Sequence, residues 1–261
     1  MGAVRKTVIV VPCFNEEKRL DRNAFTSALQ KEKDLFFIFV NDGSGDKTLG
    51  LLESMRKEAP SRISVIDLEK NFGKAEAVRR GILKAIEGPY ENVGYWDADL
   101  STPIDAVFRF CNILETTETT LVLASRVRLL GRRVDRKLSR HYFGRVFATF
   151  ASLLLRISVY DTQCGAKIFR NGPVLKKVFG RPFKVNWTFD VEMLARFHII
   201  ENKSPEEISS KWIEYPVEEW ADVKGSKVKG RDFIKSGLEL CYLFVCLYTP
   251  ARKGYEIYLR G

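Results

Sequence analysis

Five short apolar runs, at 7–11, 36–40, 63–67, 93–96 and 121–124, recur along the first half of the chain, each separated from the next by a stretch long enough for a helix. The helix candidates between them lie at about 17–29, 48–58, 74–86 and 103–114. The last opens on Ser101-Thr102-Pro103, a capping residue followed by proline near the first helical position. A strand that is apolar throughout, not only on alternate residues, has no solvated face. Alternating with helices, such strands form a mostly parallel sheet covered on both sides. The 261 residues suit one large α/β domain, and no internal repeat or Pro-, Gly- or Ser-rich linker divides them. The expectation is a single domain, 1–261, with a modified C-terminal third.

In an open α/β sheet ligands collect beyond the C-terminal ends of the strands. The most polar short segments follow those ends: PCFNEE (12–17), NDGSGD (41–46), EKNFGK (69–74), DADLST (97–102) and SRVR (125–128). Familiar phosphate motifs fail here. The dinucleotide fingerprint starting at Gly43 and Gly45 meets Thr48 where its third glycine belongs, and no P-loop exists. With His141 and His198 the only histidines and no G-x-S-x-G, a hydrolase triad has little support, and Cys164 lacks a partner that would make it a nucleophile. Asp97-Ala98-Asp99 is more informative. Two carboxylates two residues apart at a strand end can approach one hard cation, Mg²⁺ or Mn²⁺, which typically bridges carboxylates to substrate phosphates.

Charge adds a second constraint. The net +10 is concentrated in two places: eight Lys/Arg against one Asp between 126 and 145, and five against one between 224 and 235. Such patches attract polyanions. No zinc-finger spacing or RNP-type aromatic strand accompanies them, which argues against nucleic acid. The first patch instead feeds an apolar, aromatic helix candidate, HYFGRVFATFASLLLRI (141–157), the pattern of a segment lying on a membrane surface. No stretch reaches the ~20 apolar residues of a span, and no secretory or myristoylation signal is present. Five scattered cysteines without a C-x-x-C pair favour a reducing compartment.

In order, VVPCFNEE (10–17), VNDGSGDKT (40–48), NFGKAEAVRRG (71–81) and DADLSTP (97–103) resemble a family 2 glycosyltransferase of the GT-A fold. ASR (124–126), RKLSR (136–140), DTQCGAKIFR (161–170), WTFDVEML (187–194) and Trp220 with GSK (225–227) narrow the resemblance to the dolichyl-phosphate β-glucosyltransferase branch, with polyprenyl-phosphate mannosyltransferases as cousins. The resemblance covers about 7–245. It implies a nucleotide-sugar half at about 7–130 and an acceptor- and membrane-facing half at about 131–250, with C-terminal amphipathic helices.

Carried over residue by residue, the resemblance places Pro12, Phe14 and Glu16 in the nucleotide pocket and Asp42 against the base, accepting from uracil N3–H. Lys74 approaches the donor, while Asp97 and Asp99 hold Mg²⁺ or Mn²⁺ and the diphosphate, with Ala98 and Ser101 beside them. Arg126, Arg136 and Arg140 bind the acceptor phosphate, and Ser226 and Lys227 close over the diphosphate. Asp190 and Glu192 lie near the transferred sugar or position that loop. The implied reaction is inverting transfer of glucose from UDP-glucose to dolichyl or another polyprenyl phosphate, at the cytoplasmic membrane face. Asn41 departs from the family's usual Asp. The branch's eukaryotic members also carry an N-terminal membrane helix, so attachment here is expected from 139–160 and 233–248, or from a membrane-protein partner or second copy.

Plainer readings stand beside these. Glu16 can be a first-turn helix acid, Asp42 a turn former, and Arg136 and Arg140 a solvated helix face. Trp187, Phe189 and Trp212 suit a core or cleft wall, and Asp190 and Glu192 suit acids at a helix N-terminus. At the level of function the alternatives are GDP-mannose or UDP-N-acetylglucosamine as donor, a saccharide acceptor, or a non-catalytic polyanion-binding module.

Overall fold

A computed structural model describes residues 5–127, 129–135, 138–221 and 230–260, with the side chains of 134–135, 138–143, 230–233 and 260 outside the description. Arg136, Ser226 and Lys227, and the side chain of Arg140, therefore lie outside the described residues.

The first half runs β1 (Thr7–Cys13), α1 (Arg22–Lys31), β2 (Leu35–Asn41), α2 (Thr48–Glu58), β3 (Ile63–Asp67), α3 (Lys74–Ile86), β4 (Asn92–Trp96), α4 (Ala106–Thr116) and β5 (Leu121–Ser125). The second half continues with β6 (Arg133–Asp135), α5 (Leu138–Leu155), β7 (Ala166–Arg170), α6 (Pro173–Gly180), α7 (Phe189–Glu201), α8 (Pro205–Ser209), β8 (Trp212–Pro216), β9 (Glu219–Ala221), α9 (Gly230–Tyr248) and α10 (Ala251–Arg260). Seven strands form one sheet in the order β3-β2-β1-β4-β7-β5-β8, and β6 pairs with β9 in a separate ribbon. All pairs of the large sheet are parallel except those of β7, which runs antiparallel between β4 and β5. The order turns back at β1 and β4, the switch point where such sheets open a crevice.

Alternate residues of the strands feed two cores. Val8 and Val10 of β1 face the layer of α3, α6, α7 and the C-terminal helices, whereas Ile9 and Val11 face α1, α2 and α4. This two-sided burial is why the strands read as unbroken apolar runs.

Two helix starts differ from the sequence expectation. α1 begins at Arg22, where Asp21 accepts from the Ala24 amide. The residues before it are tied to the next loop: the Glu16 amide donates to Thr48 Oγ1 (2.8 Å) and Asn15 takes a left-handed φ of 52°. α4 begins at Ala106 after Asp105, not at Pro103, because the Thr102 carbonyl accepts from Trp96 Nε1 (2.8 Å) and holds the preceding turn against β4.

Candidate active site

The C-terminal ends of β1, β2, β4 and β5 border a cleft of about 520 Å³, within the usual size of a small-molecule site. Pro12, Phe14, Glu16, Asp42, Lys74, Asp97, Ala98, Asp99, Ser101, Arg126 and Asp190 all line it. Glu192 does not. Two residues apart on a helix point about 200° from each other, so Asp190 faces the cleft while Glu192 turns into the core.

On the β1 side Arg19 joins two of these groups, donating to Glu16 (2.9 Å) and reaching Asp99 (3.4 Å). Asp42 is almost wholly buried, and its two oxygens accept from the amides of Phe72 (2.8 Å) and Gly73 (2.9 Å). It thus orders the turn into α3. Gly43 makes this approach possible: its φ is +62°, and a Cβ there would sit 2.3 Å from the Lys70 carbonyl carbon. Asn41 donates through Nδ2 to Asp67 Oδ1 (2.7 Å). An aspartate at this position would set two carboxylates against each other, and the amide avoids that.

At the end of β4 the Asp97 amide donates to the Gly165 carbonyl (2.8 Å), and Asp99 accepts from the Ser101 amide (3.1 Å). A Cβ at Gly165 would fall 1.9 Å from an Asp97 carboxylate oxygen. The glycine of DTQCG is thus the gap into which Asp97 fits. Lys74, at the start of α3, pairs with Asp97 Oδ1 at 2.6 Å. Burial works against its charge, but Asp97, Asp190 and Asp99 outweigh that and raise its pKa.

Beneath this, Lys167 and Asp190 form a fully buried pair at 2.6 Å, with Tyr95 also donating to Asp190 and Lys167 donating to the Cys164 carbonyl (2.7 Å). Glu192 accepts from Arg196 Nη2 (2.7 Å), Tyr255 (2.7 Å) and the amides of Lys184 and Val185. It links α7 to α10. Burial pushes the Cys164 thiol up to about 11, which keeps it protonated and unsuited to nucleophilic attack.

On the β5 side Arg126 makes a bidentate pair with Asp161 (2.6 and 2.8 Å) and lies over the Trp220 ring. Burial opposes its charge, and Asp161 more than restores it. Asp161 is itself set in place by its amide, which donates to Glu214 (2.6 Å). α5 contributes Gly144, Arg145, Phe147 and Ala148 to the wall, and α9 contributes Ser236.

The sequence pattern does not by itself mark Arg19, Asp161, Gly165 and Lys167 as site residues. DTQCGAKIFR carries three of the four, so the motif itself was the available signal.

The residues fit a divalent ion. Asp97 and Asp99 offer hard carboxylate oxygens on one rim, and each is now neutralised by a cation, Lys74 or Arg19. Among the described residues no group of three or more His, Cys, Asp or Glu could hold a metal. Two carboxylates would be the protein's share of such a site.

A sequence profile described as glycosyl transferase family 2 matches residues 8–176, well over half the chain. The chain belongs to this family. It is a glycosyltransferase, and its sheet with the antiparallel β7 is a GT-A-like fold. A dolichyl-phosphate beta-glucosyltransferase of Trichomonas vaginalis is 32% identical over 89% of this chain and 71% of its own length. The human protein of the same name is 28% identical over 93% of this chain and 76% of its own. Among solved structures, glucosyl-3-phosphoglycerate synthase from Mycobacterium tuberculosis with Mn²⁺ and UDP-glucose aligns with a TM-score of 0.64 at 18% identity, covering 94% of this chain and 80% of that one. That likeness is one of fold.

Proposed function

We propose that this glycosyltransferase moves glucose from UDP-glucose to dolichyl or another polyprenyl phosphate, with Mg²⁺ or Mn²⁺, at the cytoplasmic surface of a membrane. The observation that carries the reading is one cleft with two characters. Its sheet side presents Asp97, Asp99 and Lys74, and its other side is built from Arg126 and the helices α5 and α9. The names of the relatives support the acceptor and the sugar. The metal and UDP-glucose bound by the mycobacterial structural neighbour support the donor class.

The outer faces of α5 and α9 favour a lipid surface. Val146, Phe150 and Leu153 on α5 and Ile234, Leu238, Tyr242 and Val245 on α9 are exposed at helical spacing. The two helices pack together, with the Tyr248 hydroxyl donating to the Leu154 carbonyl (2.5 Å). No helix among the described residues is long and apolar enough to cross a membrane. An apolar face flanked by the chain's two basic stretches suits attachment from one side.

The chemistry follows from the acceptor. A phosphate monoester is largely ionised at neutral pH, its second pKa being about 6, so no strong base is needed; among the described lining residues there is no histidine. The acceptor oxygen attacks the anomeric carbon, the bond to UDP breaks with its electron pair leaving on the diphosphate, and α configuration becomes β. Asp97 and Asp99 would hold Mg²⁺ or Mn²⁺, which when bound supplies neutralisation of charge on the departing diphosphate. Lys74 adds a cation beside them. Asp190, fixed by Lys167 and Tyr95, offers an acceptor whose position cannot drift.

The test is UDP or GDP release from a panel of UDP-glucose, UDP-N-acetylglucosamine and GDP-mannose, with and without a short polyprenyl phosphate. UDP-glucose turnover that requires the lipid, reduced at least about 100-fold in Asp99→Ala, is the expected result. Full activity of that variant overturns the metal assignment. Absence of lipid-stimulated release from every donor overturns the acceptor.

A further inference from the structure

Trp187 lines the cleft and is 38% exposed, whereas Phe189 and Trp220, which line it too, are almost wholly buried. Among the described residues the Trp187 indole stacks on no ring, meets no cation and donates no hydrogen bond. Its neighbour Asn186 lines the same wall, is exposed, and has a side-chain amide that likewise meets no partner among the described residues. Both side chains are open, yet the backbone beneath them is fixed. Glu239 of α9 accepts from the amides of Asn186 (3.2 Å), Trp187 (3.0 Å) and Thr188 (2.7 Å). A single exposed tryptophan is ordinary. One set in a cleft on a backbone held by another helix, beside an open amide, is a built feature.

The loop enters α7 beside the charged groups of the cleft. The Phe189 ring centroid lies 6.0 Å from Lys74 Nζ, Lys74 pairs with Asp97 at 2.6 Å, and Asp190 follows directly. The chemistry of the two open side chains narrows the ligand. A hexopyranose carries C–H bonds on its ring faces and hydroxyls around its edge. A flat aromatic ring covers the first, and an amide with two donors and one acceptor oxygen pairs with the second. An isoprene chain would use the ring but leave the amide unmatched. A phosphate would use neither so well, since this wall offers no cation of its own.

We infer that Asn186 and Trp187 form the subsite for the donor's hexose, and that Glu239 is the residue that positions them. This rests on the proposed reading that the donor is a nucleotide-linked hexose whose diphosphate lies at Asp97, Asp99 and Lys74. The hexose is the next group along from that diphosphate, and the 186–188 loop is the wall it meets. Trp187 covers one face of the sugar ring, and the Asn186 amide takes hydroxyls at its edge. Glu239 touches neither sugar nor diphosphate. It binds three successive amides, so the wall stands in place before the donor arrives and little ordering remains to be done on binding.

Equilibrium binding of UDP-glucose and of UDP, each with Mg²⁺, to wild type and to variants of these three residues tests the assignment. Trp187→Ala should weaken UDP-glucose about 5- to 20-fold and leave UDP within about twofold. Trp187→Phe should recover part of the loss, because a smaller ring still covers the sugar. Asn186→Ala should weaken UDP-glucose by about 2- to 5-fold. Glu239→Ala should shift the ratio of the two affinities in the same direction and Glu239→Gln less, a change that lost stability alone would not produce. Tryptophan fluorescence is a second readout: UDP-glucose should quench wild type more than UDP does, and the excess should vanish in Trp187→Phe. An unchanged ratio in the Trp187 and Asn186 variants overturns the inference. Parallel weakening of both ligands also overturns it, by assigning the wall to the nucleotide. So does a raised KM for a short polyprenyl phosphate with UDP-glucose binding unchanged, which gives the ring to the acceptor. A wild type that binds GDP-mannose in place of UDP-glucose overturns the proposed donor alone, and the same comparison of GDP-mannose with GDP then decides the subsite.

Discussion

His198 shows how much a single residue's surroundings matter. It stacks edge-on against Trp212 at 5.8 Å, and neither ring nitrogen finds a partner among the described residues. Burial lowers its pKa from the free value of 6.5, with Glu201 and Glu206 pulling it partly back. The folded state therefore resists a proton that the unfolded chain accepts. Stability is lost as pH falls through the unfolded value near 6.5 and continues to fall until the folded value is passed. His198→Phe keeps the ring against Trp212 and removes the titration, so its Tm should drop less than that of wild type between about pH 7.5 and pH 5.5. Equal drops in a thermal scan would contradict this account. At this scale the sequence was informative about types and silent about partners. Asp97-Ala98-Asp99 marked itself by its place after an apolar strand, but nothing in the spacing could tell that Arg126 faces Asp161 or that Glu192 turns from the cleft. Those pairings join residues 35 positions apart or follow from the phase of α7.

Glu239 does at the level of elements what a capping residue does within one helix. Thr188, at the start of α7, makes no capping bond of its own. Glu239, on α9, accepts from the amides of Asn186 (3.2 Å), Trp187 (3.0 Å) and Thr188 (2.7 Å) and from the Thr188 hydroxyl (2.9 Å). A carboxylate at a helix N-terminus satisfies open donors and complements the helix dipole. Its removal leaves several amides unpaired and should cost about 1–3 kcal/mol. In a chain this long, Glu239→Ala should then lower Tm by about 3–10 °C. Glu239→Gln should lose less, because an acceptor remains. A Tm unchanged in Glu239→Ala would mean that water replaces the clamp. The elements themselves were largely legible: β3, α2 and α3 have the limits their patterns suggest, since a short β-branched run or a helical period bounded by polar turn residues leaves a clear signature. The pattern of β7 does not mark it as a strand. AKIFR places a lysine mid-strand, a pattern that reads as surface until Asp190 is found opposite it. The starts of α1 and α4 lie later than the pattern suggests because Asp21 caps α1 while the preceding Glu16 amide is tied to Thr48, and because the Trp96 ring holds Thr102 in the turn before α4.

For the molecule as a whole the open question is what covers the outer faces of α5 and α9. Phe150 is 60% exposed and Leu238 67%, an unusual cost for a solvated surface. Leu129 and Leu130, in the loop between β5 and β6, extend the exposed apolar residues into the basic stretch. The proposed lipid surface would answer both features, since acyl chains accept apolar groups and anionic headgroups accept cations. The same helices line the cleft on their inner side, so a protein resting on this face would bring the cleft to the membrane surface. Replacing Phe150 and Leu238 together by Ser should therefore weaken co-sedimentation with vesicles containing anionic lipid by about 10-fold or more, as each buried apolar side chain contributes about 1.5–3 kcal/mol. Added salt should weaken wild-type binding further through the charged component. Transfer to a long polyprenyl phosphate in vesicles should fall with binding, while transfer to a short, soluble one should not. Unchanged sedimentation would remove the lipid from this face. A variant that instead changes from dimer to monomer on a sizing column would show the face to be an interface between copies, and membrane attachment would then have to rest on other residues.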